Sequence, residues 1–192
     1  MPTVLVVTGP SGAGKGTLIR KLVERAPGIE VTVSATTRER RRGEENGREY
    51  WFLSDDEFLA RVARGEFLEH VEYVSGHRYG TLRSELARIA KDGRVPLLEL
   101  ETVGALDVKR EVPGAVTIFI SAPVEELERR LRERATESTG EIGERIALAR
   151  KQLDEAGRFD YIVENDDLDR AVDELVALVR GLLAPAGTIS RQ

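Results

Sequence analysis

The densest chemical signal in the chain is Gly9-Pro10-Ser11-Gly12-Ala13-Gly14-Lys15-Gly16-Thr17. It sits between an apolar run, Val4–Thr8, and a segment in which Leu18, Ile19, Leu22 and Val23 recur at helical spacing. A glycine-rich loop in that position turns successive backbone N–H groups inward, and the helix start adds positive potential, so main-chain amides hold phosphate. Glycine is required because side chains would block close approach and because some positions need positive φ. Lysine at this offset supplies a point charge that follows a phosphoryl group in transfer. The pattern predicts a triphosphate site over residues 9–17. Its hydroxyl is displaced by one position, with Gly16 preceding Thr17. A magnesium ion would therefore rest mainly on phosphate oxygens and water, with Thr17 within reach through water.

A second set of charges follows. Arg38 and Arg41 lie three apart in a loop of small residues, where guanidinium forks can bind a phosphate bidentately and aim it. Arg40, Arg42 and Arg48 read as solvated neighbours. Glu99 and Glu101 stand at the end of a further apolar run, Val95–Glu101, where strands of open parallel sheets present ligands. Arg134 and Arg145 bracket a segment of threonine, serine and two glycines, the composition of a mobile flap. His70 and His77 read as structural or surface residues, and no metal site made of protein ligands alone is visible.

These residues need a scaffold, and the hydrophobic pattern supplies one. Short apolar runs at Val4–Thr8, Val31–Ser34, Val95–Glu101, Val116–Ser121 and Tyr161–Val163 read as strands. Helical patterns follow the glycine loop, cover Leu82–Ala90, start after Pro123, span Ile142–Ala156 and return from Leu168 to Leu182. Strands alternating with helices imply a parallel sheet flanked by helices, an α/β fold. Residues 35–80 break the rhythm: 38–50 read as loop and hairpin, Ser54-Asp55-Asp56-Glu57 as a capping box, and Glu66–Val74 as a strand. That segment is expected as a small α+β insertion, with core at 1–34 and 81–183, a lid at about 134–145 and a frayed tail over 184–192.

Composition narrows the class. The chain has 192 residues, no cysteine, 41% hydrophobic residues and a formal charge of −5. This excludes a disulfide framework or thiolate metal site and argues against a disordered chain or a general nucleic-acid binder. No apolar run approaches the ~18 residues of a membrane span, and the start lacks a signal-peptide n-region, so a cytoplasmic protein without membrane or nucleic-acid partners is expected. Arginine (24) far outnumbers lysine (5).

Taken in order, the glycine loop with its Lys-Gly-Thr, the run Ser34 to Glu44, Asn46-Gly47-Arg48-Glu49-Tyr50, Gly65 to Glu69, Tyr79-Gly80-Thr81, Arg134-Ala135-Thr136, Arg145 and Asn165-Asp166-Asp167 resemble guanylate kinase along nearly the whole chain. The Lys-Gly-Thr variant is also similar to adenylate-kinase-like loops. The resemblance implies a P-loop nucleoside-monophosphate kinase moving the γ-phosphoryl group of ATP to GMP or dGMP, with Mg²⁺. It implies ATP contacts at Gly9 through Thr17 and at Asn165, and catalytic roles for Lys15, Arg38, Arg134 and Arg145. It implies GMP contacts at Ser34, Arg38, Arg41, Tyr50, Glu69, Tyr79, Gly80, Thr81 and Glu101. Glu99 would lie near the Mg²⁺ shell through water. The chain departs from the family in carrying Glu99 and Glu101 for two aspartates, Val103 for a glutamine, Arg40 for a proline, Arg78 for a tyrosine and Ala135 for a glycine. A kinase of another phosphorylated acceptor and a non-catalytic binding module of the same fold stay open, as do a monomer and a homodimer.

Overall fold

The computed structural model describes residues 3–73, 76–133 and 139–184. Strand β1 (Val4–Thr8) is wholly buried and runs through the glycine loop into helix α1 (Lys15–Arg25). It is the middle strand of a five-stranded sheet whose other members are β2 (Ile29–Val31), β7 (Val95–Glu99), β8 (Ala115–Ser121) and β9 (Tyr161–Glu164). The order is β2-β7-β1-β8-β9, and every pairing is parallel. Side chains alternate across the sheet as the two-residue period requires. Leu5 and Val7 join Leu18, Leu22, Ile118 and Ile120 on one face, while Val4 and Val6 join Leu98, Val108 and Phe119 on the other. The first face is covered by α1, α5 (Val124–Glu133), α6 (Thr139–Asp154) and α7 (Leu168–Leu183).

Between β2 and β7 the chain builds a second sheet from β3 (Ala35–Thr36), β4 (Trp51–Phe52), β5 (Phe67–Glu72) and β6 (Arg78–Leu82), in the order β4-β3-β6-β5. Its own small core is Ala35, Phe58, Phe67 and Leu82, with Phe58 supplied by α2 (Asp55–Ala63). Helix α3 (Arg83–Lys91) then leads back to β7.

Several local expectations are corrected. Helix α4 (Thr102–Glu111) was not expected, because Gly104 is a poor helix former and the outward Val103, 70% exposed, blurs the apolar stripe. Packing of Ala105 and Val108 on the central sheet holds it in place. Strand β6 was hidden by Gly80, and β3 and β4 are too short to show a period. The capping box forms by half: the Ser54 hydroxyl accepts from the Glu57 amide at 3.2 Å, but the Glu57 carboxylate pairs with Arg61 at 2.7 Å. Strand β2 ends at Val31 rather than Ser34, and α6 begins at Thr139. Residues 134–138 of the expected lid and 185–192 of the expected tail lie outside the described residues. Among the described residues, no helix is long and apolar enough to cross a membrane.

Candidate active site

The glycine loop is built by backbone geometry. Gly9, Gly12 and Gly14 take φ of 141°, 89° and 85°. At two of these a side chain is also excluded by space: a Cβ on Gly9 would run into the Ile120 carbonyl, and one on Gly14 into the Asn165 amide. Asn165 is buried and donates its amide to the Ala13 carbonyl at 2.7 Å. Arg130 donates to the carbonyls of Gly12 and Asn165 at 3.2 and 3.3 Å. These two residues brace the loop, and the buried Asn165 Oδ1 takes no hydrogen bond among the described residues. From α6, Arg145 reaches the Ser11 hydroxyl at 2.9 Å. Arg134 lies outside the described residues.

Lys15, the first residue of α1, folds its ammonium onto the carbonyls of Gly9 and Pro10 at 2.7 and 3.1 Å. Burial lowers its pKa, and the carboxylates of Glu99 and Glu101 oppose that shift. Thr17 lies two residues further into the same first turn. Glu99 ends β7, and Glu101 is the residue from which α4 starts, its carbonyl accepting from Ala105 while its side chain makes no cap. Enclosure by the walls raises the pKa of Glu99, Lys15 lowers it, and Glu101 adds to the rise.

The second sheet contributes the facing wall. Arg38 follows β3, its amide donating to the Thr36 hydroxyl at 3.1 Å and its guanidinium lying 5.4 Å from the Tyr50 ring centre and 5.6 Å from that of Phe52. Tyr50 meets Tyr79 edge-on with ring centres 5.9 Å apart. The exposed Arg41 donates its amide to Glu44. On β5, Glu69 is paired with Thr81 of β6. Burial pushes the Glu69 carboxyl up, and the Thr81 hydroxyl and amide oppose the rise. The Thr81 hydroxyl is sealed from solvent, with the Glu69 carboxylate as its polar neighbour. Gly80 must be glycine, since a Cβ there would collide with the Glu69 carbonyl, the Phe67 ring and His70.

Between the two walls lies a cleft of about 770 Å³. Lys15, Ser34, Tyr50, Glu69, Tyr79, Gly80, Glu99 and Glu101 all line it, so residues far apart in sequence converge on one space. Tyr73 and Val103 line it too, and neither was expected. Tyr73 falls on the same strand face as Glu69 and Val71, and the two-residue period could have found it. Val103 depends on α4, which the pattern did not reveal. Among the described residues, no group of three or more His, Cys, Asp or Glu side chains could hold a metal ion. Such a cleft can seat a phosphorylated small molecule against the end of a phosphate-binding loop.

Comparison with known proteins bears on the family and the fold. The sequence model of the family described as guanylate kinase matches residues 1–181. A guanylate kinase of Parasynechococcus marenigrum is 47% identical over 180 residues, which is 93% of this chain and 98% of that protein. One from Synechococcus sp. is 45% identical over 177 residues, 92% of this chain and 81% of its own length. The crystal structure of guanylate kinase from Anaplasma phagocytophilum superposes with a TM-score of 0.72 at 30% identity, covering 95% of this chain and 87% of that one. With the family model spanning residues 1–181, which include the glycine loop and both sheets, the chain belongs to the guanylate kinase family.

Proposed function

We propose that the protein transfers the γ-phosphoryl group of ATP to GMP or dGMP, giving ADP and GDP or dGDP. The observation that carries this is one cleft lined both by Lys15 of the glycine loop and by Glu69, Tyr50 and Tyr79 of the second sheet. In this reading ATP lies along residues 9–17 and against Asn165, which also steadies the loop, and GMP lies in the cleft. The monophosphate oxygen is already a nucleophile, so positioning and charge do the work. Lys15, Arg38, Arg41 and Tyr50 and Tyr79 neutralise and aim the phosphates, and Arg145, with Arg134, closes on them. Residues 35–80 act as the GMP-binding insertion on a core of 1–34 and 81–183, and 134–145 as a lid that excludes water.

Guanine offers two adjacent donors, N1–H and the 2-amino group, which the Glu69 carboxylate accepts together. Ser34, Thr81 and Glu101 complete the base pocket. Adenine has an acceptor at N1 and would leave the buried carboxylate unpaired, which a site of this kind rejects strongly. The hard oxygen donors of Thr17 and Glu99 fit a Mg²⁺ ion that arrives on the nucleotide and is reached through water. When bound, that ion neutralises charge across the β- and γ-phosphates. A coupled assay of ADP release, run in parallel with GMP, AMP, CMP and UMP, tests the proposal. Turnover with GMP alone is expected, and failure to consume GMP with ATP and magnesium present would overturn it.

A further inference from the structure

Arg38 is held by more than its loop. Its Nη1 donates to the Glu39 carbonyl at 2.7 Å and to Glu44 Oε2 at 3.1 Å, and its Nη2 donates to Glu44 Oε1 at 2.8 Å. The same Glu44 Oε2 accepts the Arg41 amide at 2.7 Å. The two side chains are only 13% and 18% exposed, so this is an enclosed fork-to-fork pair rather than a solvated surface one. A guanidinium has five N–H groups in a rigid plane. Both Nη1 hydrogens and one Nη2 hydrogen are used here, which leaves the side edge, Nε–H and the second Nη2–H. The ring centres of Tyr50 and Phe52 lie 5.4 and 5.6 Å from the guanidinium carbon, and the Tyr79 hydroxyl hydrogen-bonds the same group, as it could a phosphate seated there.

We propose that Glu44 is a positioning residue: by clamping the end edge of Arg38 and the Arg41 amide together, it turns the side edge of Arg38 toward the acceptor phosphate. This rests on the reading that Arg38 grips the phosphate of GMP. Without the clamp the long Arg38 side chain regains rotamer freedom, and each binding event must order it again. The opposite role is also chemically defined: a carboxylate that merely occupied Arg38 would compete with phosphate, and its removal would tighten GMP binding.

A double-mutant cycle on the full chain separates these cases, with KM for GMP, KM for ATP and kcat measured for each variant. Glu44→Gln is expected to raise KM for GMP about tenfold while moving KM for ATP by less than about twofold. Arg38→Ala is expected to raise KM for GMP by itself, and adding Glu44→Gln to it is expected to change nothing further. Glu44→Asp, which keeps the charge but withdraws it by one methylene, is expected to fall between parent and Glu44→Gln, and it carries the cycle should Glu44→Gln fail to fold. A fall in KM for GMP on Glu44→Gln overturns the proposal, as does no change. So does an effect that persists in the Arg38→Ala background or that moves both KM values together. If Arg38→Ala alone leaves KM for GMP untouched, the underlying reading fails instead.

Discussion

In the glycine loop the groups proposed to hold phosphate are main-chain amides, and the loop geometry is set by Gly9, Gly12 and Gly14 and by the Asn165 brace. On the side of the four-stranded sheet the proposed phosphate contacts are side chains, Arg38, Tyr50 and Tyr79, held by an ion pair and by ring contacts. The first design stores its geometry in local backbone conformations that only a few residue types accept. The second distributes its geometry over partners as far apart as Thr36 and Tyr79. One region should therefore fail abruptly and locally, and the other gradually and through its neighbours.

The largest expected effect is on the loop side. Lys15→Ala should lower kcat by about a thousandfold with an unchanged far-UV circular dichroism spectrum. A loss smaller than about tenfold would mean that the loop does not deliver its charge to the transferred group. Next comes the core of the second sheet, where Phe58 is fully buried and stacks on Phe67 with ring centres 4.3 Å apart. Phe58→Ala should cost roughly 3–4 kcal/mol there. Calorimetry should show GMP binding lost and ATP binding kept. Loss of both would show the two regions to be a single cooperative unit.

A smaller effect tests base recognition. Glu69→Gln should reduce the preference for GMP over AMP about a hundredfold, measured as the ratio of kcat/KM values. An unchanged ratio would remove Glu69 from the base pocket. The same substitution has a fourth, weaker consequence for stability. Burial raises the Glu69 pKa in the folded chain, so the fold favours its protonated form. That contribution is fully present below the ordinary carboxylate pKa and is lost as pH rises through the raised value. Free of nucleotide, Glu69→Gln should therefore melt about 2 °C above the parent near pH 7 and level with it near pH 4. The same difference at both pH values would contradict the burial argument.

The sequence-to-structure correspondence divides along the same line. The loop was readable because glycine spacing, lysine and the flanking strand and helix are all local, and the parallel sheet was readable because buried strands such as Val4–Thr8 are continuously apolar. Of the second sheet, the sequence shows one strand, Glu66–Val74, realised as β5, and otherwise a break in rhythm. Two-residue strands carry no period, and Gly80 is present to let β5 and β6 approach, which reads from sequence as a turn. Arg38 and Arg41 could be singled out by type and spacing, but nothing local marks Glu44 as their common partner. Nothing local in the sequence marks the bond from the Asn165 amide to the Ala13 carbonyl, which joins residues 152 positions apart.

Helix α4 is shared between the two sheets. Its Ala105 and Val108 pack on the central strands, and at Gly104 a Cβ would stand 3.8 Å from Glu69 Oε2. The bare backbone at position 104 thus acts as a spacer gauge between a carboxylate borne by one layer and a floor borne by the other. A single methyl added there is in ordinary contact with that carboxylate, whereas a branched side chain would fill the space between them. The clearance between the layers is set by a residue with no side chain to offer a ligand.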